Sequence, residues 1–196
     1  MSTLPTLALP LSYEPAVLSV ARALAARLDR SEPILRSVLN AELTAKFGGT
    51  DAEGRWSVCD AHAALELAQV IYLQRVDAFG VTALATEADA LFASLEALVP
   101  GQANRSEEQI AWQQFATPPR FAWLAARACA FSKEDNVLEP SAGTGMLAIW
   151  AEKAGAILAL NEISPLHDAV MQRLDAITDF TRLKGAFYAE EAHRKA

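Results

Sequence analysis

The chain has 196 residues, of which 52% are apolar, and its mean hydropathy of +0.14 indicates enough apolar surface for a buried core. Alanine makes up about a fifth of the residues, which favours helices and argues against an all-β protein. The net charge of −7 argues against a bulk basic surface for nucleic acid, and two cysteines are too few for a secreted disulfide framework. We therefore expect a cytoplasmic protein without a membrane span, in which Cys59 and Cys129 are buried small residues.

Helical spacing of apolar residues dominates the first half of the chain. After an expected tail at residues 1–10, the spacing predicts four helices, at about residues 15–28, 33–47, 57–79 and 87–99. Gly48, Gly80 and Pro100 are predicted to end the second, third and fourth of them. Because the connections are short, the sequence predicts a helical domain at residues 11–101 with antiparallel neighbouring helices.

The pattern changes after Gly101. A short helix is predicted at residues 106–114, and Thr117 is the predicted N-cap of a further helix that reaches Phe131. A buried strand at 136–138, a glycine-rich turn, a helix at 146–154 and a second buried strand at 156–160 follow, and another helix is predicted from Ser164. This order is typical of a parallel β-α-β unit, which we place in a second domain at residues 102–196.

The glycine-rich turn is the part of the sequence that points to a ligand. Gly143 and Gly145 allow the backbone to approach a ligand closely, and Glu162, after the second strand, is placed to accept hydrogen bonds from ribose hydroxyls. Residues 143–148 also fit the relaxed dinucleotide fingerprint GxGxxA. Two features disfavour nicotinamide binding: four residues separate the strand from the first glycine, and the first of them is an acid, Glu139. The sequence thus predicts a site for a nucleoside.

The segment from Val137 to Gly145, with the sequence VLEPSAGTG, resembles the first motif of class I S-adenosylmethionine-dependent methyltransferases, particularly the DNA adenine type. Residues 115–119, FATPP, resemble the motif that precedes it in those enzymes. The resemblance implies a mainly α protein with a small α/β part, in which a helical domain precedes a truncated Rossmann-like unit. It also implies a weak or vestigial S-adenosylmethionine site, formed by Thr117, Pro118, Glu139, Pro140, Gly143, Gly145 and Glu162. No metal site is expected, because residues 51–54 lack the ligand alternation of a calcium loop.

A narrower resemblance covers about residues 31–175. Residues 106–119 and 158–162 are similar to the start of bacterial and mobile-element proteins that join a methyltransferase to a Strawberry notch-type helicase. Adenine methyltransferases also carry an Asn or Asp followed by Pro-Pro and an aromatic residue, which holds the flipped base. The present sequence contains no such tetrapeptide, so we expect no catalytic residue.

The 82 residues from Phe115 to Ala196 leave room for two or three strands, at about 30 residues per β-α-β unit. We therefore expect an incomplete, inactive methyltransferase-like protein that acts as a binding or regulatory protein of a DNA-modification or mobile-element system. Two alternatives remain: an anti-CRISPR or anti-restriction inhibitor of host defence, and the N-terminal part of an active DNA adenine methyltransferase. A small parallel sheet leaves exposed edges, which predicts a protein partner or a homodimer, with at most indirect contact to nucleic acid.

Overall fold

The structure is a computed structural model that describes residues 16–76, 80–101 and 117–162. Of these described residues, 58% lie in helices and 6% in strands, so the predicted mainly helical character is confirmed. The predictions for residues 1–10 and 106–114, and for the helix from Ser164 onward, lie outside the described residues. In chain order the elements are α1 (Ala16–Asp29), α2 (Arg36–Phe47), α3 (Val58–Arg75), α4 (Ala85–Leu98), α5 (Pro119–Cys129), β1 (Asn136–Glu139), α6 (Ala148–Lys153) and β2 (Ile157–Leu160).

Helices α1 and α3 pack against each other and form the centre of the helical part. Helix α1 buries one apolar face, and α3 is buried around most of its circumference. A capping box begins α3: the Asp60 N–H donates to Ser57 Oγ, and the Ser57 N–H donates to Asp60 Oδ2 over 2.8 Å. His62, on the same helix, is 9% exposed. The apolar spacing of the sequence therefore identified both central helices.

Two of the predicted helix ends are wrong. Helix α2 begins at Arg36 and not near residue 33, because the Ile34 N–H donates to the carbonyl of Leu98 at the end of α4 over 2.7 Å. Helix α3 ends at Arg75, well before Gly80. At the end of α3, a partner distant in sequence satisfies carbonyls that a longer helix would have used.

Lys153 of α6 supplies that partner at the end of α3. Its Nζ donates to the carbonyls of Leu73, Gln74 and Val76 over 3.1, 3.2 and 3.1 Å. A cation at a helix C-terminus is also favoured by the negative end of the helix dipole. Next to it, Gln74 Nε2 donates to Glu152 Oε2 over 3.2 Å, and burial raises the pKa of Glu152. Helix α6 is thus fixed to the end of α3 by polar contacts.

Lys153→Met is expected to lower the free energy of unfolding by about 2 kcal/mol, because it leaves three half-buried carbonyls without their charged donor. Urea unfolding followed by circular dichroism measures the loss. Lys46→Met, in the exposed last turn of α2, is the matched control and should change stability by less than about 0.5 kcal/mol. Equal effects of the two substitutions would refute the importance of the Lys153 contacts.

Helix α5 buries one face, which is centred on Trp123. Trp123, with its neighbours Ala122 and Ala126, faces the core, and its Nε1 donates to the Gly80 carbonyl over 3.1 Å. This indole sets the rotation of the helix, and Leu124, Ala125 and Ala128 are exposed. Cys129 is also exposed, and Cys59 is half-buried, so the expectation of two buried cysteines is wrong.

The main core runs without interruption from α1 to α6. Three aromatic side chains connect its two ends: Phe92 of α4 lies 6.1 Å from the Trp123 ring and 6.3 Å from the Trp150 ring, centroid to centroid. Trp150 is fully buried and meets Phe92 edge to face, at 80°. Residues on both sides of position 101 therefore contribute to one core.

Strands β1 and β2 form a two-stranded parallel sheet, which confirms the predicted strand–helix–strand order. Asn136 pairs with Ile157, and Glu139 pairs with Leu160. The alternation of side chains leaves one face packed under α6, where Leu158 and Leu160 are buried. Leu138 and Ile157, on the other face, are 58% and 55% exposed, so the prediction of a buried first strand is wrong. One crossover helix covers only one face of a sheet.

Within the described residues, no helix combines the length and the apolar character that crossing a membrane requires.

Candidate cofactor site

The glycine turn connects β1 to α6 and lies against the residues that follow β2. The Asn161 N–H donates to the Glu139 carbonyl over 2.9 Å. This bond extends the hydrogen bonding between the strands by one residue beyond Leu160. The Ala142 N–H donates to the Asn161 carbonyl over 2.9 Å, and Asn161 Nδ2 donates to the Pro140 carbonyl over 3.0 Å. The carboxyl ends of the two strands therefore hold the turn, as expected for parallel neighbours.

Two carboxylates act as acceptors for the turn. Glu162 Oε2 accepts a hydrogen bond from the Gly143 N–H over 2.6 Å, and Glu139 Oε1 accepts one from the Ser141 N–H over 3.0 Å. Bonds between an N–H group and an ionised carboxylate are shorter and stronger than neutral ones. Both acids that the sequence singled out thus lie at the turn, one at the end of each strand.

The two glycines of the turn have left-handed backbone conformations, with φ of +55° at Gly143 and +92° at Gly145. A Cβ atom built on either glycine meets no atom of the described structure within 4 Å. Gly143 is half-buried. Space next to the backbone is thus open at both glycines, which is the condition for close approach of a ligand.

Four N–H groups of the turn have acceptors within the protein. The N–H groups of Ser141 and Gly143 donate to the two carboxylates, that of Ala142 to Asn161, and that of Gly145 to the Ala142 carbonyl over 2.8 Å. Phosphate-binding loops need such groups to point at the ligand. The arrangement disfavours the dinucleotide interpretation of residues 143–148, because a pyrophosphate would compete with two carboxylates for the same donors.

Basic side chains of the neighbouring helices are engaged elsewhere. Lys153 donates to the carbonyls at the end of α3. Arg120 pairs with Asp89 and lies 3.6 Å from Glu96 Oε1, both on α4, and Arg127 donates to the Ala83 carbonyl. Among the described residues of α5 and α6, these contacts direct the cations toward α3 and α4. Glu139 and Glu162 are the charged residues that the structure shows bonded to the backbone of the turn.

The structure brings together five of the seven predicted cofactor residues: Glu139, Pro140, Gly143, Gly145 and Glu162. Thr117 and Pro118 lie at the start of α5, outside the hydrogen-bonded network around the turn. Thr117 is not the N-cap of α5, because Pro118 occupies that position and the Pro118 carbonyl accepts from Ala122. Helix α5 packs against α6, which begins directly after the turn.

Asn161 is the residue of this site that sequence reasoning missed. Its backbone and side chain make three of the hydrogen bonds that hold the turn. The sequence feature that could have identified it as a site residue is its position directly before Glu162, at the end of an apolar strand. An Asn side chain can donate to a backbone carbonyl of a neighbouring segment. Which carbonyl accepts that bond depends on the fold, and a single sequence does not specify it.

In the part of the chain that the structure describes, no three His, Cys, Asp or Glu side chains converge as a metal ion requires. Comparisons of the chain with protein-family models, with curated proteins and with solved structures find no match.

Proposed function

We propose that this chain is a methyltransferase-like protein that binds S-adenosylmethionine at the glycine turn without transferring its methyl group. The observation that carries the proposal is the contact of Glu162 with the Gly143 N–H, beside two glycines that have open space above them. In this proposal the β1–α6–β2 unit is the first part of a Rossmann-like sheet, and the helices α1–α5 support it.

The residues at the turn have separate tasks in this proposal. An ionised carboxylate accepts hydrogen bonds through two oxygens, so Glu162 can hold Gly143 and also accept the hydroxyls of a ribose. Gly143 and Gly145 leave room for the nucleoside next to the backbone. Glu139 and Pro140 border the same space, and, following the family resemblance, Glu139 lies toward the methionine end of the ligand. Thr117 and Pro118 are proposed to contact its carboxylate from the start of α5.

The proposed lack of methyl transfer is supported by the amino-acid sequence. These 196 residues contain no Asn-Pro-Pro or Asp-Pro-Pro followed by an aromatic residue, the motif with which adenine methyltransferases hold the target amine. We propose that the protein works as a binding or regulatory component of a DNA-modification or mobile-element system. Its expected location is the cytoplasm.

Gly143→Asp is expected to abolish S-adenosylmethionine binding in isothermal titration calorimetry, because the new side chain enters the open space at the turn. Gly54→Asp is the matched control. Gly54 has a similar φ, +68°, with no atom within 4 Å of a built Cβ, but it lies in the loop between α2 and α3. The control should bind like the unchanged chain. Absence of binding by the unchanged chain would refute the cofactor proposal.

Methyl transfer is tested separately. Labelled S-adenosylmethionine and adenine-containing DNA are incubated with the chain, and incorporation of the label into DNA is counted. We expect none, and Glu162→Ala serves as the cofactor-site control. Incorporation that depends on Glu162 would replace the present proposal by the alternative in which the chain is part of an active DNA adenine methyltransferase.

An inhibitor of host defence is the second candidate function, favoured by the net charge of −7 and the uncovered face of the sheet. An acidic protein can occupy a basic nucleic-acid channel, and exposed apolar side chains on a sheet face can pack against another protein. A protein partner or a second copy of the chain would then cover Leu138 and Ile157. Plaque assays in hosts with and without a defence system test this candidate, and equal plating in both would refute it.

A further inference from the structure

We propose that the side chain of Asn161 positions the glycine turn for ligand binding, because it fixes the Pro140 carbonyl at the point where the turn leaves β1. The inference rests on the proposed function, because it concerns the same site. Asn161 is a positioning residue in this proposal: it affects the ligand through the conformation of the turn.

Pro140 is the residue of the turn whose backbone has the fewest hydrogen-bonding groups. Proline has no backbone N–H, so its carbonyl is the backbone group left to form a hydrogen bond, and its ring fixes φ but not ψ. Asn161 Nδ2 donates to this carbonyl over 3.0 Å. Rotation about ψ of Pro140 would break that bond and change the direction of the chain toward Ser141. The side-chain bond therefore restrains the turn at its start.

Two neighbouring bonds come from the backbone of Asn161. Its N–H donates to the Glu139 carbonyl, and its carbonyl accepts from the Ala142 N–H, each over 2.9 Å. The three bonds together fix the chain before, at and after Pro140. A substitution at position 161 keeps both backbone groups, so the bond to Pro140 is the contact of the three that requires the amide side chain.

Loss of this bond should have a local effect on the turn. The N–H groups of Ala142 and Gly143, which follow shortly after Pro140, are engaged by Asn161 and Glu162. One intramolecular hydrogen bond shifts the equilibrium between the closed and the open turn by roughly fivefold. Local opening of this kind is measured by the exchange of amide hydrogens with solvent.

Amide hydrogen exchange of the full chain without ligand tests the restraint. Asn161→Ala and Asn161→Asp should each speed exchange of the Ala142 and Gly143 N–H groups by roughly fivefold. The Ile157 N–H, at the opposite end of β2, should exchange at an unchanged rate. Asn136→Asp adds the same charge at the amino end of β1, so it is the matched control and should leave the turn unchanged.

Isothermal titration with S-adenosylmethionine measures the consequence for binding. Both Asn161 variants should bind roughly threefold to fivefold more weakly than the unchanged chain at about pH 7. At about pH 4 the new carboxyl of Asn161→Asp is partly protonated and regains an O–H that can donate to the Pro140 carbonyl. The ratio of the unchanged to the variant affinity should therefore fall in acid for Asn161→Asp and stay constant for Asn161→Ala.

The possible results separate this proposal from the proposed function. If the unchanged chain does not bind S-adenosylmethionine, the proposed function fails, and exchange at the turn still supports or refutes the restraint by Asn161. Unchanged exchange at Ala142 and Gly143 would overturn the proposal. Equal acceleration at Ile157 would overturn it as well, because it indicates a loss of overall stability. Unchanged affinity of both Asn161 variants, or no recovery of Asn161→Asp in acid, would refute the role in binding.

Discussion

Replacing Trp150 by alanine is expected to lower the free energy of unfolding by about 3 to 5 kcal/mol, the largest loss of stability that we predict. The side chain is fully buried in α6, and its ring packs edge to face on Phe92 of α4. Removal of the indole would leave a cavity between α6, which covers the sheet, and α4. Urea unfolding at several wavelengths measures the loss.

Phe121→Ala is the matched control, because Phe121 is also a large aromatic residue but is 61% exposed on α5. It should cost less than about 1 kcal/mol. Trp150→Phe retains most of the apolar volume and should remain folded if the alanine variant does not, with a loss of about 1 to 2 kcal/mol. Losses below about 1 kcal/mol for both Trp150 variants would contradict the packing described for α6.

Glu66 should make the protein less stable as the pH rises from about 4.5 to 7. Burial raises the pKa of this carboxyl, on the central helix α3, from 4.5 to about 7. Between these values the folded chain holds a proton that the unfolded chain has lost, so the free energy of unfolding falls with rising pH and levels off above pH 7. The side chain keeps part of its exposure, and we expect a loss of roughly 2 to 3 kcal/mol.

Glu66→Gln should remove most of this pH dependence and stabilise the protein at pH 8 by a similar amount. Thermal and urea unfolding between pH 4.5 and 8 compare it with the unchanged chain. Glu134→Gln, at an exposed carboxyl in the turn before β1, is the matched control and should leave the profile unchanged. If the Glu66 and Glu134 variants have the same profile, ionisation of Glu66 does not limit stability.

The elements of the fold could be predicted because each follows from a local pattern. The spacing of Val17, Val20, Leu24 and Leu28 predicted α1, and all four residues are buried. The third helix was predicted to begin at about Ser57, which is the N-cap of α3, and the predicted parallel order of the two strands placed Glu162 beside the glycine turn. Neighbouring residues determine the helices, and the position of Glu162 follows from the rule that the carboxyl ends of parallel strands lie at the same edge of a sheet.

Burial of individual side chains could not be predicted in the same way. Thr117 was predicted to cap α5, Cys129 to be buried and Leu138 to lie in a buried strand. Each depends on contacts across the molecule: the start of α5 at Pro118, the rotation that Trp123 imposes on the helix, and the single helix that covers the sheet. The same sequence pattern can occur with a buried or with an exposed side chain, so burial cannot be predicted while those contacts are unknown.

The three aromatic rings that join the two halves of the core also determine how the chain tolerates being divided. If the polypeptide is interrupted between residues 101 and 117, each piece exposes apolar surface that the other normally covers: Phe92 in the first piece, and Trp123 and Trp150 in the second. Separately produced pieces should therefore be poorly soluble alone and should reassemble when produced together. The protein is thus suited to a split-protein complementation assay, in which reassembly reports on proximity of whatever is fused to the two pieces.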